Sequence, residues 1–274
     1  MSAIRDIALN DGVSIPQLGL GVFQVDPAET QANVETALEI GYRHIDTAKI
    51  YGNEAEVGAA LSASDLPRED LFVTTKLWNS DQGHDSTLRA FDTSMEKLGL
   101  DVLDLYLIHW PTPQKDTFVD TWKAFEQLKA DGRIRSIGVS NFRVEDLQKL
   151  LDAGLTVPSV NQIELHPALT QTELRAFHDE HGIATEAWSP LAQGQVFEEP
   201  AITQVAQAHG ASPAQVILAW HLALGNIVFP KSVTPQRIAD NFAATDIELT
   251  PDEIRSISGV NRDERIGPDP AAFN

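Results

Sequence analysis

The chain has 274 residues, 42% of them hydrophobic, and no cysteine, which excludes disulfides, thiolate zinc sites and a cysteine nucleophile. Its formal charge is −20, a field that repels nucleic acid and anionic lipid, so neither is expected as a partner. The first dozen residues lack a signal-peptide pattern, and no apolar run reaches the roughly 18 residues of a membrane helix. A cytoplasmic location is the expectation.

In chain order, "DIALNDGVSIPQLG" reads as a hairpin around Asp11-Gly12. Eight short apolar runs then read as strands, at 18–23, 43–47, 71–77, 103–110, 134–142, 159–165, 183–188 and 226–230. Amphipathic segments lie between them. "PAETQANVETALEIG" opens on Pro27 and closes on Gly41; "TFVDTWKAFEQLKADGR" places Phe118, Trp122, Phe125 and Leu128 on one face; "SPAQVILAWHLALG" starts from a cap at Ser212. Strand–helix alternation implies a parallel sheet, and eight units fit one (β/α)8 TIM barrel over 1–274, with the N-terminal hairpin plugging its bottom. The rival is an open doubly wound sheet. Polar residues at successive strand ends favour the barrel, because closure gathers them at one mouth. They are Asp46, Lys76, His109, Ser140 with Asn141, Gln162, Trp188 with Ser189, and Lys231 with Ser232.

Lys76 ends an apolar strand and needs a carboxylate partner, which Asp46 supplies from the preceding strand. Tyr51 follows Asp46 closely. A phenol titrates near pH ~10, yet it can protonate a developing alkoxide, and a nearby ammonium favours its ionised form. His109 ends the next strand and can reach the same oxygen. A second cluster, "FPKSVTPQRIADN", concentrates Lys231, Ser232 and Arg237 near a helix start at Thr234-Pro235, which suits a phosphate. No G-x-G-x-x-G follows a strand, so a dinucleotide would not be held in the Rossmann manner. There is no H-E-x-x-H for a metal and no G-x-S-x-G for a serine nucleophile; "GVSNF" is the nearest approach. No metal is expected.

The stretches "GYRHIDTAKIYGNE", "LFVTTKLW", "DLYLIHWP", "IGVSNF", "NQIELHP" and "VFPKSVTPQRIADN" together resemble the aldo-keto reductases, in particular the bacterial 2,5-diketo-D-gluconate reductases. The resemblance implies NADPH-dependent reduction of aldehydes and ketones, such as small dicarbonyls, keto sugars or aromatic aldehydes, by a monomer. Tyr51 would be the general acid, tuned by Lys76 and Asp46, with His109 orienting the carbonyl. The NADPH/NADP site would use Gly21, Val22, Ser140, Asn141, Gln162, Trp188, Ser189, Leu191, Gln193 and Phe229. Lys231, Ser232, Val233 and Arg237 would take the 2′-phosphate. Asp240 and Asn241 would face the adenine, although many relatives carry Glu at the first of these positions. Phe23, Trp78 and Trp110, with Tyr51 and His109, would wall the substrate site. The tail "RDERIGPDPAAFN" is expected to offer the mouth little cover. Two other readings stand beside this one: a regulatory or structural NADP-binding protein on the same barrel, and an aldolase using Lys76 as a Schiff base.

Overall fold

The structure is a computed structural model, and it describes residues 4–274. Among the described residues, ten strands form two sheets. Strands β1 (Asp6–Ala8) and β2 (Ser14–Pro16) make an antiparallel hairpin, with Ile7 opposite Ile15. The other eight run parallel in simple sequence order: β3 (Leu20–Gly21), β4 (His44–Asp46), β5 (Phe72–Leu77), β6 (Leu103–Ile108), β7 (Ile134–Ser140), β8 (Val160–Glu164), β9 (Ala184–Trp188) and β10 (Ile227–Val228). A parallel bridge between Leu18 and Val228 joins the two edges, and the Gly19 N–H donates to Val228 O at 2.8 Å. The sheet therefore closes, as the barrel reading requires.

Among the described residues, ten α-helices surround it: α1 (Pro27–Ile40), α2 (Glu54–Ala63), α3 (His84–Leu98), α4 (Phe118–Ala130), α5 (Val144–Asp152), α6 (Thr172–His181), α7 (Pro200–His209), α8 (Pro213–Ala223), α9 (Pro235–Phe242) and α10 (Pro251–Ser258). Local chemistry sets their ends. Asp26 caps α1 by accepting from the Ala28 N–H at 2.9 Å, and Pro27 needs no partner in the first turn. Ser212 and Gln215 form a reciprocal capping box at α8, as Thr250 and Glu253 do at α10.

Every residue of β5 and β6 is buried, as expected where helices cover one face and the barrel interior the other. Outward side chains pack with the helices in one large core. Inward ones form a smaller core in which Leu9 and Ile15 of the hairpin meet Phe72, Leu105, Leu107, Val160, Ile227 and Phe229. The hairpin is thus the bottom plug that the sequence suggests. Its turn is pinned by Asp11, which accepts from Ser136 Oγ at 2.9 Å, from Ser159 Oγ at 3.0 Å and from Lys129. With the bottom sealed, the open end of the barrel is the one where the strands finish.

Candidate active site

At that end the four expected groups meet. Asp46 closes β4, and a single helical turn, Lys49–Tyr51, carries Tyr51 back over the barrel mouth. Lys76 lies near the end of β5, fully buried, with Nζ 2.6 Å from Asp46 Oδ1 and 2.9 Å from Thr47 O. The same ammonium lies 5.1 Å from the centroid of the Tyr51 ring. His109 follows β6; its ring centroid is 5.8 Å from that of Tyr51 and 5.2 Å from that of Trp78.

Burial dominates the electrostatics here. It raises the Tyr51 phenol above its ordinary value, while Lys76 pulls it back and Asp46 pushes it up. The acidifying pull expected of the lysine is present, but desolvation outweighs it. Burial also holds His109 well below the usual imidazole range, and Lys76 adds to that shift. His109 is therefore neutral near pH 7, and its Nδ1 is buried without a hydrogen-bond partner among the described residues. Burial and then the Asp46 charge act oppositely on Lys76, and the net direction is upward, so it stays an ammonium.

Asp46, Tyr51 and His109 open into a cavity of about 480 Å³, and the fully buried Lys76 lies behind its wall. A larger groove of about 870 Å³ runs outside the barrel along α2 and the end of α3, but it contains none of the four. Gly21, Phe23, Trp78, Trp110, Ser140, Asn141, Gln162, Trp188, Ser189, Gln193, Phe229 and Lys231 all line the smaller cavity. At Gly21 a Cβ would come 2.8 Å from Phe229 O, so the close approach of these two segments requires glycine. Asn141, Ser189 and Gln193 hold left-handed backbone, with φ of 64°, 48° and 51°. Such strain in non-glycine residues collects at functional sites.

One polar network runs beneath the cavity. Asn141 Nδ2 donates to His109 O and to Ser140 Oγ, both at 3.0 Å, and Trp188 Nε1 donates to Asn141 Oδ1 at 2.8 Å. Ser140 Oγ donates to Gln162 O at 2.9 Å. Gln162 Nε2 donates to Asp46 Oδ2 at 3.0 Å and to Glu186 Oε2 at 2.9 Å.

The second cluster sits on the rim. Lys231 and Arg237 are exposed, and neither pairs with a carboxylate among the described residues. In a chain with 40 acidic and 20 basic residues, these two cations lie beside the start of α9 without a carboxylate partner among the described residues. Val233 is 40% exposed there, while Ser232 is buried and its Oγ accepts from the Thr234 N–H at 3.2 Å. Val22 and Leu191 do not reach the cavity wall; Val22 is fully buried, and its N–H donates to Asp46 O at 3.1 Å. Asp240 is exposed and receives Gln236 Nε2 at 2.8 Å; Asn241 is buried.

The tail departs from expectation. Ile266, Gly267, Pro268 and Phe273 line the cavity, and the Phe273 ring lies 4.4 Å from that of Trp110. What brings it there is Glu164, fully buried at the end of β8. Its carboxylate accepts from the Ile266 N–H at 2.6 Å, the Gly267 N–H at 3.1 Å, Arg265 Nη1 at 3.2 Å and His166 Nε2 at 3.1 Å. Ile50, 47% exposed, is another cavity residue that sequence reasoning passed over. The lone aromatic residue of the tail, Phe273, was the available signal for the covering.

Residues 17–262 match the model of the aldo/keto reductase family. An aldo-keto reductase of Mycolicibacterium smegmatis is 59% identical over 98% of each chain. The glyoxal reductase of Bacillus subtilis is 50% identical, again over 98% of each. The crystal structure of a Gox0644 point mutant in complex with NADPH superposes with a TM-score of 0.96 at 46% identity over 100% of both chains. With the barrel and its four-group mouth already in place, these likenesses decide the matter: the chain belongs to the aldo/keto reductase family.

Proposed function

We propose that the protein reduces small aldehydes and ketones, α-dicarbonyls among them, to alcohols with NADPH, and that Tyr51 is the general acid. The observation that carries this reading is Tyr51 seated over the buried Lys76 ammonium and beside a neutral His109, with Tyr51 and His109 facing one cavity. Two further features support the cofactor: the unpaired Lys231 and Arg237 suit a 2′-phosphate, and a close structural neighbour was crystallised with NADPH. The glyoxal reductase relative supports small dicarbonyl substrates.

Bound NADPH supplies the hydride to the carbonyl carbon. Tyr51 gives its proton to the carbonyl oxygen, and the Lys76 ammonium steadies the phenolate left behind. His109, neutral, donates an N–H to the same oxygen and sets its direction. Phe23, Trp78, Trp110 and Phe273 keep water from the reacting atoms, while Ser140, Asn141, Gln162 and Trp188 position the nicotinamide. We place these groups in a single barrel domain that acts as a monomer in the cytoplasm.

The test is NADPH consumption with glyoxal, methylglyoxal and glyceraldehyde. Tyr51→Phe should lower turnover by about 10²–10⁴-fold, with NADPH affinity within about twofold of the native protein. Near-native turnover in that variant removes Tyr51 from its role. Binding of NADPH without turnover of any carbonyl would favour the regulatory reading.

A further inference from the structure

Glu186 takes no part in the chemistry above, and it does not line the cavity. It sits in the middle of β9, paired in register with Gln162 of β8, and its side chain is entirely buried. A second carboxyl group inside a barrel that already holds Asp46 is costly, because each buried acid loses its hydration. An apolar residue would pack there more cheaply. What the carboxyl contacts suggests why it is present.

Glu186 Oε2 accepts from Gln162 Nε2 at 2.9 Å, and the same nitrogen donates to Asp46 Oδ2 at 3.0 Å. Asp46 in turn holds Lys76. Both N–H groups of the Gln162 amide are therefore spent inward, on two carboxyl groups from β4 and β9. Its carbonyl oxygen has no donor among the described residues, and Gln162 is part of the cavity wall. Rotating the amide by half a turn would press that oxygen against Asp46 Oδ2 and would break the bond to Glu186 Oε2. The present orientation is the one that keeps both bonds.

The groups facing Glu186 are Asp46, Gln162 and Lys76. Burial, followed by the Asp46 charge, raises the Glu186 carboxyl to about 8, against the weaker pull of Gln162 and Lys76. Near neutrality it is an uncharged acid, so it accepts from Gln162 without placing a second anion beside Asp46.

We propose that Glu186 is a positioning residue for carbonyl reduction: it locks the Gln162 amide with its oxygen toward the cavity, where that oxygen holds the nicotinamide carboxamide and so decides which face of the ring meets the substrate. This rests on the NADPH reading given above. A carboxamide without a fixed acceptor can turn over, and the ring then presents either hydrogen at C4.

The experiment compares native protein with Glu186→Ala, Glu186→Leu and Glu186→Gln. It measures the NADPH dissociation constant by fluorescence titration. It also measures deuterium transfer to glyoxal from NADPH labelled separately on each C4 face. The native protein should pass label from one face only. Loss of one neutral hydrogen bond should weaken NADPH about 2- to 10-fold in the Ala and Leu variants, and both should pass label from both faces. Glu186→Gln keeps an oxygen acceptor and should restore one-face transfer. Glu186→Leu fills the space, so it carries the test if Glu186→Ala does not fold. One-face transfer with native NADPH affinity in the Ala or Leu variant overturns the assignment. If the native protein passes no label at all, the proposed function fails instead, and the dissociation constants still decide the role of Glu186.

Discussion

The ammonium of Lys76 lies 2.6 Å from Asp46 Oδ1, and neither side chain is more than 5% exposed. Such a pair is weak evidence for stability as a whole, but breaking it from one side strands a charge away from water. Lys76→Met should therefore cost about 3–5 kcal/mol, measured by urea unfolding near pH 7. Adding Asp46→Asn to that variant removes the stranded charge and should recover part of the loss. If the double variant is no more stable than Lys76→Met alone, Asp46 is not carrying an unbalanced charge in the single variant.

Lys231 and Arg237 stand free of carboxylates on a strongly acidic protein, among the described residues. A charge-assisted hydrogen bond contributes about 1.5–3 kcal/mol. Native protein should bind NADPH roughly 10- to 100-fold more tightly than NADH. Arg237→Ala and Lys231→Met should each narrow that gap by weakening NADPH while leaving NADH nearly unchanged. Equal affinity of the native protein for the two cofactors would contradict the assignment.

Glu164 holds the tail by hydrogen bonds from Ile266, Gly267 and Arg265. Glu164→Gln keeps the shape but loses the charge on which those donors converge. We expect the Michaelis constant for small dicarbonyls to rise about 3- to 30-fold while turnover changes little, since roughly 1–2 kcal/mol of tail docking is at stake. Burial pushes the Glu164 carboxyl up, but the bonds from His166, Ile266 and Gly267 outweigh it and the net shift is downward. A lowered carboxyl stabilises the closed tail above the ordinary carboxylate range, and that stabilisation disappears as pH falls through the lowered value. At pH 7 trypsin cleavage after Arg265 should therefore be faster in the variant than in the native protein. Equal cleavage rates would count against the latch.

Burial drives His44, His178 and His221 down to about 3. Unfolded, each would take a proton near pH ~6.5. Below that value the unfolded chain binds more protons, so stability should fall continuously from pH ~6.5 toward pH ~3. Three such groups give a limiting slope of about 4 kcal/mol per pH unit. Stability that stays flat between pH ~6 and ~5 would mean that these rings are hydrated in the folded state.

Much of this architecture is legible in sequence because buried parallel strands read as unbroken apolar runs. A polar residue ending such a run stands out, as Asp46, Lys76 and His109 do. The barrel seam is less sharp: the runs at 18–23 and 226–230 pair as ladders only over Leu20–Gly21 and Ile227–Val228, where strands meet briefly to close the circle. Glu186 is hidden between Thr185 and Ala187, although it shares the inward side of β9 with Trp188. The tail escapes notice for another reason. Glu164 and its partners lie about 100 residues apart in sequence, and no local pattern shows that a strand-end carboxylate is waiting for distant backbone N–H groups.

Trp78, Trp110 and Trp188 border one cavity, while the remaining two, Trp122 and Trp220, are sealed in the helix layer. The protein consequently carries its own optical gauge. Three indoles stand where cofactor, carbonyl and the Phe273 ring converge, and two serve as an internal standard indifferent to all of them. Quenching of the mouth indoles can report each arrival in turn, without a dye or an engineered label.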